Sequence, residues 1–261
     1  MEGAELAVFM LAACLCTALL FYPASPAIPL LPDATLRRFI LGLGMGGTAV
    51  GIILCPWGKR SGAHFNPSIT LSYLLLGKIH RVDATGYILG QFAGGLAGII
   101  ASALLLGHTV IASASVNYVV TVPGIGGWPA AFVAELFMSA VLMSAVLHLS
   151  NHPRLAVLTP YIVGALISLY VLLFAPVSGF SLNPARTLGS AIPAHTYTAL
   201  WIYFTAPLLG MFSSALLYRR SFGPSRIHCA KLRHDPRYPC PFFCQLQPTD
   251  LPAAATLNHQ H

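Results

Sequence analysis

The chain is 261 residues long, 56% hydrophobic and 8% charged, with a mean hydropathy of +0.72. Soluble domains carry about 25% charged residues, so this composition excludes a water-soluble globular fold and points to a polytopic membrane protein. A formal net charge of +7 would suit a nucleic-acid partner, but no motif of that kind accompanies it and none is expected.

The first long apolar stretch covers residues 5–22, flanked by Glu2 and Glu5 rather than by Lys or Arg, which fits a first membrane span better than a signal peptide. A second lies at 36–55. The apolar stretch at 66–76 is about half the length needed for a bilayer core of roughly 30 Å at 1.5 Å per residue, so it is expected to be re-entrant. A third span covers 83–107, where Gly90, Gly94 and Gly98 form a small-residue stripe expected to make a close helix crossing inside the bundle. An extracellular connection at 108–127 leads to spans at 128–149 and 156–176, a second half-length stretch at 183–193, and a sixth span at 197–218. The expected fold is therefore an all-α polytopic membrane protein with six transmembrane helices and two re-entrant half-helices.

Basic residues set the orientation. With both ends in the cytoplasm, Lys59, Arg60, Lys78, Arg81, Arg154, Arg219, Arg220, Arg226, Lys231, Arg233 and Arg237 lie inside. Only Arg37, Arg38 and Arg186 do not, and the inverse topology would violate the positive-inside bias. The short loops and modest length suggest a plasma membrane, specifically a prokaryotic inner membrane.

Two segments repeat in register. Ser61-Gly62-Ala63-His64-Phe65-Asn66-Pro67-Ser68 recurs as Ser178-Gly179-Phe180-Ser181-Leu182-Asn183-Pro184-Ala185, and Ala4-Glu5-Leu6 in the first span matches Ala134-Glu135-Leu136 in the fourth. The chain thus divides into repeats at 1–107 and 128–222. Each repeat has three spans, an odd number, so the copies insert in opposite senses and their half-helices enter from opposite faces.

Asn is a preferred N-cap and Pro fits the first helical position, so each Asn-Pro step starts a half-helix near the membrane centre. Two helix N-termini facing one another raise the energy of a cation between them, protons included. Asn66 and Asn183 can offer side-chain N–H groups to a passing water or hydroxyl. Arg186 lies in the second half-helix, and an intramembrane arginine costs at least about 2.5–3.5 kcal/mol unless it faces water or a partner, so it is expected to line the lumen.

On the two Asn-Pro signatures, the repeat-start glutamates and Gln91, residues 1 to about 222 resemble the major intrinsic protein family, the aquaporins and glycerol facilitators. Ser68 departs from the usual Ala of the first signature. The resemblance implies a homotetramer with one pore per protomer, passive conduction of water or small uncharged solutes, and no cofactor. It implies a midplane built on Asn66, Pro67, Ser68, Asn183, Pro184 and Ala185, and a selectivity filter of Gly46, Val171, Phe180 and Arg186. Met45 or Thr48 are the alternatives to Gly46, because the run from Gly42 to Gly47 offers few landmarks. Glu5 and Glu135 are expected to hold the re-entrant loops by accepting backbone hydrogen bonds, with His64 as a supporting residue. Gly46, Val171 and Phe180 resemble glycerol facilitators, whereas Thr187 and the Tyr203-Phe204 pair resemble water channels.

Residues 223–261 form a basic cytoplasmic tail rich in Cys, His and Pro. Pro224, Pro236, Pro239, Pro241, Pro248 and Pro252 argue against a long helix, and the tail is expected to be loosely ordered. Cys229, His234, Cys240 and Cys244 are its candidate metal ligands, but their spacing is not that of a standard finger and no metal site is assigned.

The leading function is a passive channel for water and small uncharged solutes that excludes ions and protons, with the lipid bilayer as its surroundings. The alternative is a facilitator mainly for glycerol, urea or a metalloid hydroxide. An ion-coupled transporter would need an acidic residue at a midplane site. A membrane enzyme would need a nucleophile, base pair or metal set within the spans, and none is present there.

Overall fold

A computed structural model describes residues 1–246; the prolines at 248 and 252 lie outside the described residues. Among the described residues six helices are long and apolar enough to cross a membrane: α1 (Glu2–Phe21), α2 (Ala34–Leu54), α4 (Arg81–Leu106), α5 (Gly127–Ser150), α6 (Thr159–Ser178) and α8 (Leu200–Phe222). Between them sit α3 (Pro67–Leu75) and α7 (Pro184–Ala194), of 9 and 11 residues, each about half a bilayer long.

The two repeats pack as an inverted pair. Within the first, α1 lies along α4, and within the second α5 lies along α8. The half-helices are exchanged between repeats: α7 packs on α4, and α3 packs on α8. At the centre α2 crosses α6.

Small residues decide which faces can meet. The glycine stripe of α4 turns toward α1: a Cβ on Gly94 would lie 1.9 Å from the Gly3 carbonyl oxygen, and one on Gly98 2.5 Å from that of Ala7. An adjacent face of α4 receives α7, where Gly95 and Gly189 bring the two backbones together. Such close contacts let helices associate in lipid, where apolar burial between them gains little. Polarity is inverted relative to a soluble protein. Leu104, Leu105 and Leu217 are exposed on the outside, while Asn66, Gln91 and Glu135 are buried inside, as expected when the solvent is hydrocarbon.

The tail differs from the loosely ordered segment expected. Its prolines do prevent a long helix, but residues 227–246 fold back beneath the bundle, with Ile227, Ala230, Lys231 and Leu232 buried. Hydrogen bonds to loops far away in sequence hold it: Leu232 N–H to Gly62 O at 3.1 Å, Phe243 N–H to Lys78 O at 3.1 Å, and His228 N–H to Asn151 Oδ1 at 2.7 Å. Asp235 adds an ion pair to Lys59 at 3.2 Å.

Candidate pore

Each half-helix is reached through a loop of unusual backbone. Gly62 (φ 100°) and Gly179 (φ 76°) turn the chain through the left-handed region, and the following residues alternate: Ala63 and Phe65 in one loop, Phe180 and Leu182 in the other, all have positive φ. These conformations cost L-residues of order 1–3 kcal/mol each, so something must hold them.

Buried carboxylates do so. In the second repeat Glu135 accepts from Ser178 Oγ (2.7 Å), Ser181 N–H (2.9 Å) and Leu182 N–H (2.7 Å). The first repeat divides the same three bonds. Glu5 accepts only from Ser61 Oγ (2.7 Å), while Glu2 accepts from His64 N–H (3.0 Å) and Phe65 N–H (2.6 Å). The loop-holding role expected of Glu5 thus falls mainly to Glu2, which also receives Gln91 Nε2 at 2.7 Å. Glu2 sits three residues before Glu5 on the same helical face, and that spacing is the signal that could have revealed it.

The loops deliver two asparagines whose Oδ1 and Nδ2 are all partnered. Asn66 Oδ1 caps α3 by accepting Ser68 N–H at 2.8 Å; Asn183 Oδ1 caps α7 through Ala185 N–H at 3.0 Å and Arg186 N–H at 3.2 Å. Each Nδ2 donates to the opposite loop, Asn66 to Leu182 O at 2.8 Å and Asn183 to Phe65 O at 2.7 Å. The strained residues Phe65 and Leu182 therefore present the carbonyls that lock the two half-helix N-termini together. One N–H of each asparagine remains, and both asparagines line the central cavity.

That cavity holds about 40 Å³, room for about three waters at ~10–15 Å³ each. Its wall is mostly apolar, including Phe9, Ile69, Leu142, Val163, Ile167 and Phe180. Arg186 is its one charged side chain among the described residues, and the buried Nη1 has no hydrogen-bond partner among them. Ile69 stands in α3 where Arg186 stands in α7, so the two half-helices give the cavity chemically unlike walls.

The four filter positions separate in space. Phe180 and Arg186 line the cavity; Gly46 and Val171 are buried but are not on its wall. Gly46 instead forms the α2–α6 crossing, where a Cβ would lie 2.3 Å from Gly164 O. Met45, Ala49, Ile52 and Ile53 are the buried side chains of α2, whereas Thr48 is only partly buried and bonds Gly44 O at 2.8 Å. Pro67, Ser68, Pro184 and Ala185 form the first turns of the half-helices.

His64 is fully buried and faces the tail. Its Nε2 meets Ala230 O at 2.8 Å, its Nδ1 meets Thr70 Oγ1 at 3.2 Å, and its ring is stacked between Tyr73 and Phe242. Leu232, which nothing in the sequence singled out, also lines the cavity. Cys229, His234, Cys240 and Cys244 converge, their ligand atoms all within 4.8 Å of one another.

The sequence matches the model of the Major intrinsic protein family over residues 5–218. The chain belongs to that family. It is 37% identical over 174 residues to the probable aquaporin NIP7-1 of Arabidopsis thaliana, covering 66% of this chain and 61% of that protein. It is 33% identical over 173 residues to a probable NIP-type aquaporin of Nicotiana alata, covering 66% and 62%. It thus spans about six-tenths of the length of these relatives. The fold resembles the X-ray structure of the aquaglyceroporin from Plasmodium falciparum, with a TM-score of 0.72, 22% identity, and coverage of 86% of this chain and 96% of that one. This family member is a multi-pass membrane protein built from six spans and two half-helices.

Proposed function

We propose that the chain forms a passive channel for water and small uncharged solutes that excludes ions and protons. The observation that carries this reading is the reciprocal lock, in which two helix N-termini meet across the Asn66–Leu182 and Asn183–Phe65 hydrogen bonds at one cavity. Facing N-termini disfavour a cation there, and the guanidinium of Arg186 adds a fixed positive charge. A water molecule can take hydrogen bonds from the free N–H of each asparagine and then from Arg186, with an apolar wall opposite. Transport rather than catalysis is part of this reading, in keeping with the aquaporins to which the chain is similar.

Facilitation of glycerol, urea or a metalloid hydroxide is a second reading, supported by Phe180 facing the same cavity as Arg186. A carbon face can rest on that ring while oxygens meet the guanidinium. We further propose a homotetramer in the plasma membrane with both termini cytoplasmic, the prokaryotic inner membrane being the expectation from the short loops. Reswelling of proteoliposomes in glycerol or urea gradients tests selectivity. Wild-type vesicles are expected to admit water faster than either solute, with Phe180→Ala raising solute entry several-fold. Equal solute entry in wild type and variant would remove Phe180 from the filter.

A further inference from the structure

The tail contains a cluster that the pore does not use. Cys229 Sγ lies 3.4 Å from Cys240 Sγ, and Cys244 Sγ lies 3.4 Å from His234 Nε2. Zinc bonds of about 2.3 Å to sulfur and about 2.0–2.1 Å to nitrogen place tetrahedral ligand atoms about 3.4–3.8 Å apart, so small side-chain adjustments complete the set. A disulfide accounts for it less well: Cys229 and Cys240 are not bonded, and a bond between them would leave Cys244 and His234 unexplained. Under reducing conditions all three cysteines are available as thiolate ligands. Three thiolates and a neutral imidazole around a divalent ion leave one net negative charge. Lys231, 1% exposed and donating to the carbonyls of Lys59 (2.7 Å) and Pro239 (3.0 Å), places a buried positive charge in the same segment.

The stretches between the ligands are the ones that touch the pore. Between Cys229 and His234 lie Ala230, bonded to His64, and Leu232, which bonds Gly62 O and lines the cavity. Between Cys240 and Cys244 lies Phe242, stacked on His64 at 5.3 Å. Residues 227–246 hold no long helix and no strand. A segment this short, without regular structure, gains most from a metal that ties its turns together.

We propose that Cys229, His234, Cys240 and Cys244 bind one zinc ion, and that the bound zinc fastens the tail as a cap holding Leu232 in the inner end of the pore. Zinc therefore lowers flux, and its removal frees the passage. The flux part of this inference rests on the channel reading; the metal site and the docked cap do not.

The test uses the full-length protein, purified under reducing conditions. Metal analysis is expected to find one zinc per chain, lost in Cys240→Ser/Cys244→Ser, and cobalt in its place should give the absorption of a tetrahedral thiolate site. Trypsin should spare Lys231 and Arg233 with zinc and cleave there after chelation. In proteoliposomes chelation should raise water flux several-fold, the double variant should be fast and insensitive to zinc, and Leu232→Ala should bind zinc yet conduct like chelated protein. No zinc on reduced protein would overturn the site. Zinc binding with unchanged protease sensitivity would overturn the cap. Zinc binding and a protected tail, with flux equal in all states of a conducting channel, would overturn the gate. Absent flux even after chelation and in Leu232→Ala would count against the channel reading instead, while metal analysis and proteolysis still decide the site and the cap.

Discussion

Glu135 carries alone the three hydrogen bonds that Glu2 and Glu5 share. The division predicts unequal consequences. Glu2→Gln loses charge-assisted bonds to two backbone N–H groups of the loop, those of His64 and of the strained Phe65, and is expected to destabilise the fold by about 3 kcal/mol, whereas Glu5→Gln, which touches one hydroxyl, should cost about 1 kcal/mol or less. Thermal unfolding in detergent measures both, and equal losses would contradict the division. Asn183→Asp separates capping from donation. Asp is as good an N-cap as Asn, so the half-helix should persist, but the change removes the donor to Phe65 O and adds negative charge between the N-termini. Water flux should fall and cation leak should appear, read with an ion-sensitive dye in the same vesicles.

Helix contacts are set by where a Cβ has no room. Gly94→Ala would place a methyl group on the Gly3 carbonyl and is expected to cost about 1–3 kcal/mol through separation of α1 and α4. Gly86→Ala, where nothing lies within 4 Å, should be neutral or slightly stabilising. Comparing the two by thermal unfolding tests whether the stripe is a contact or a composition bias. At this scale much of the architecture was legible in the sequence. Long apolar runs mark spans because hydrocarbon tolerates little else, and Asn-Pro after Ser-Gly punctuates the half-helices. The face of α2 was not legible: Gly42 to Gly47 supplies four glycines in six positions, so side-chain periodicity could not show that Gly46 meets α6. Glu2 was hidden for a related reason, since the repeat register pairs Glu5 with Glu135 and leaves Glu2 without a counterpart.

Taken whole, the molecule places a polar seam inside an apolar shell and sets its own tail, through Leu232, against that seam. The seam could be read from residue types, because buried Asn, Arg and Glu in hydrocarbon have few roles besides lining or bracing a passage. The tail's position could not, because isolated bonds such as Leu232 N–H to Gly62 O and the His64 ring to Ala230 O leave no periodic trace. The most direct test of the account is stopped-flow light scattering on proteoliposomes of the full chain, with and without chelator, with proton leak followed in the same vesicles. Osmotic water flux above that of empty vesicles is expected, with no proton leak beyond theirs. Water flux no faster than in empty vesicles under either condition, or protons crossing with the water, would contradict it.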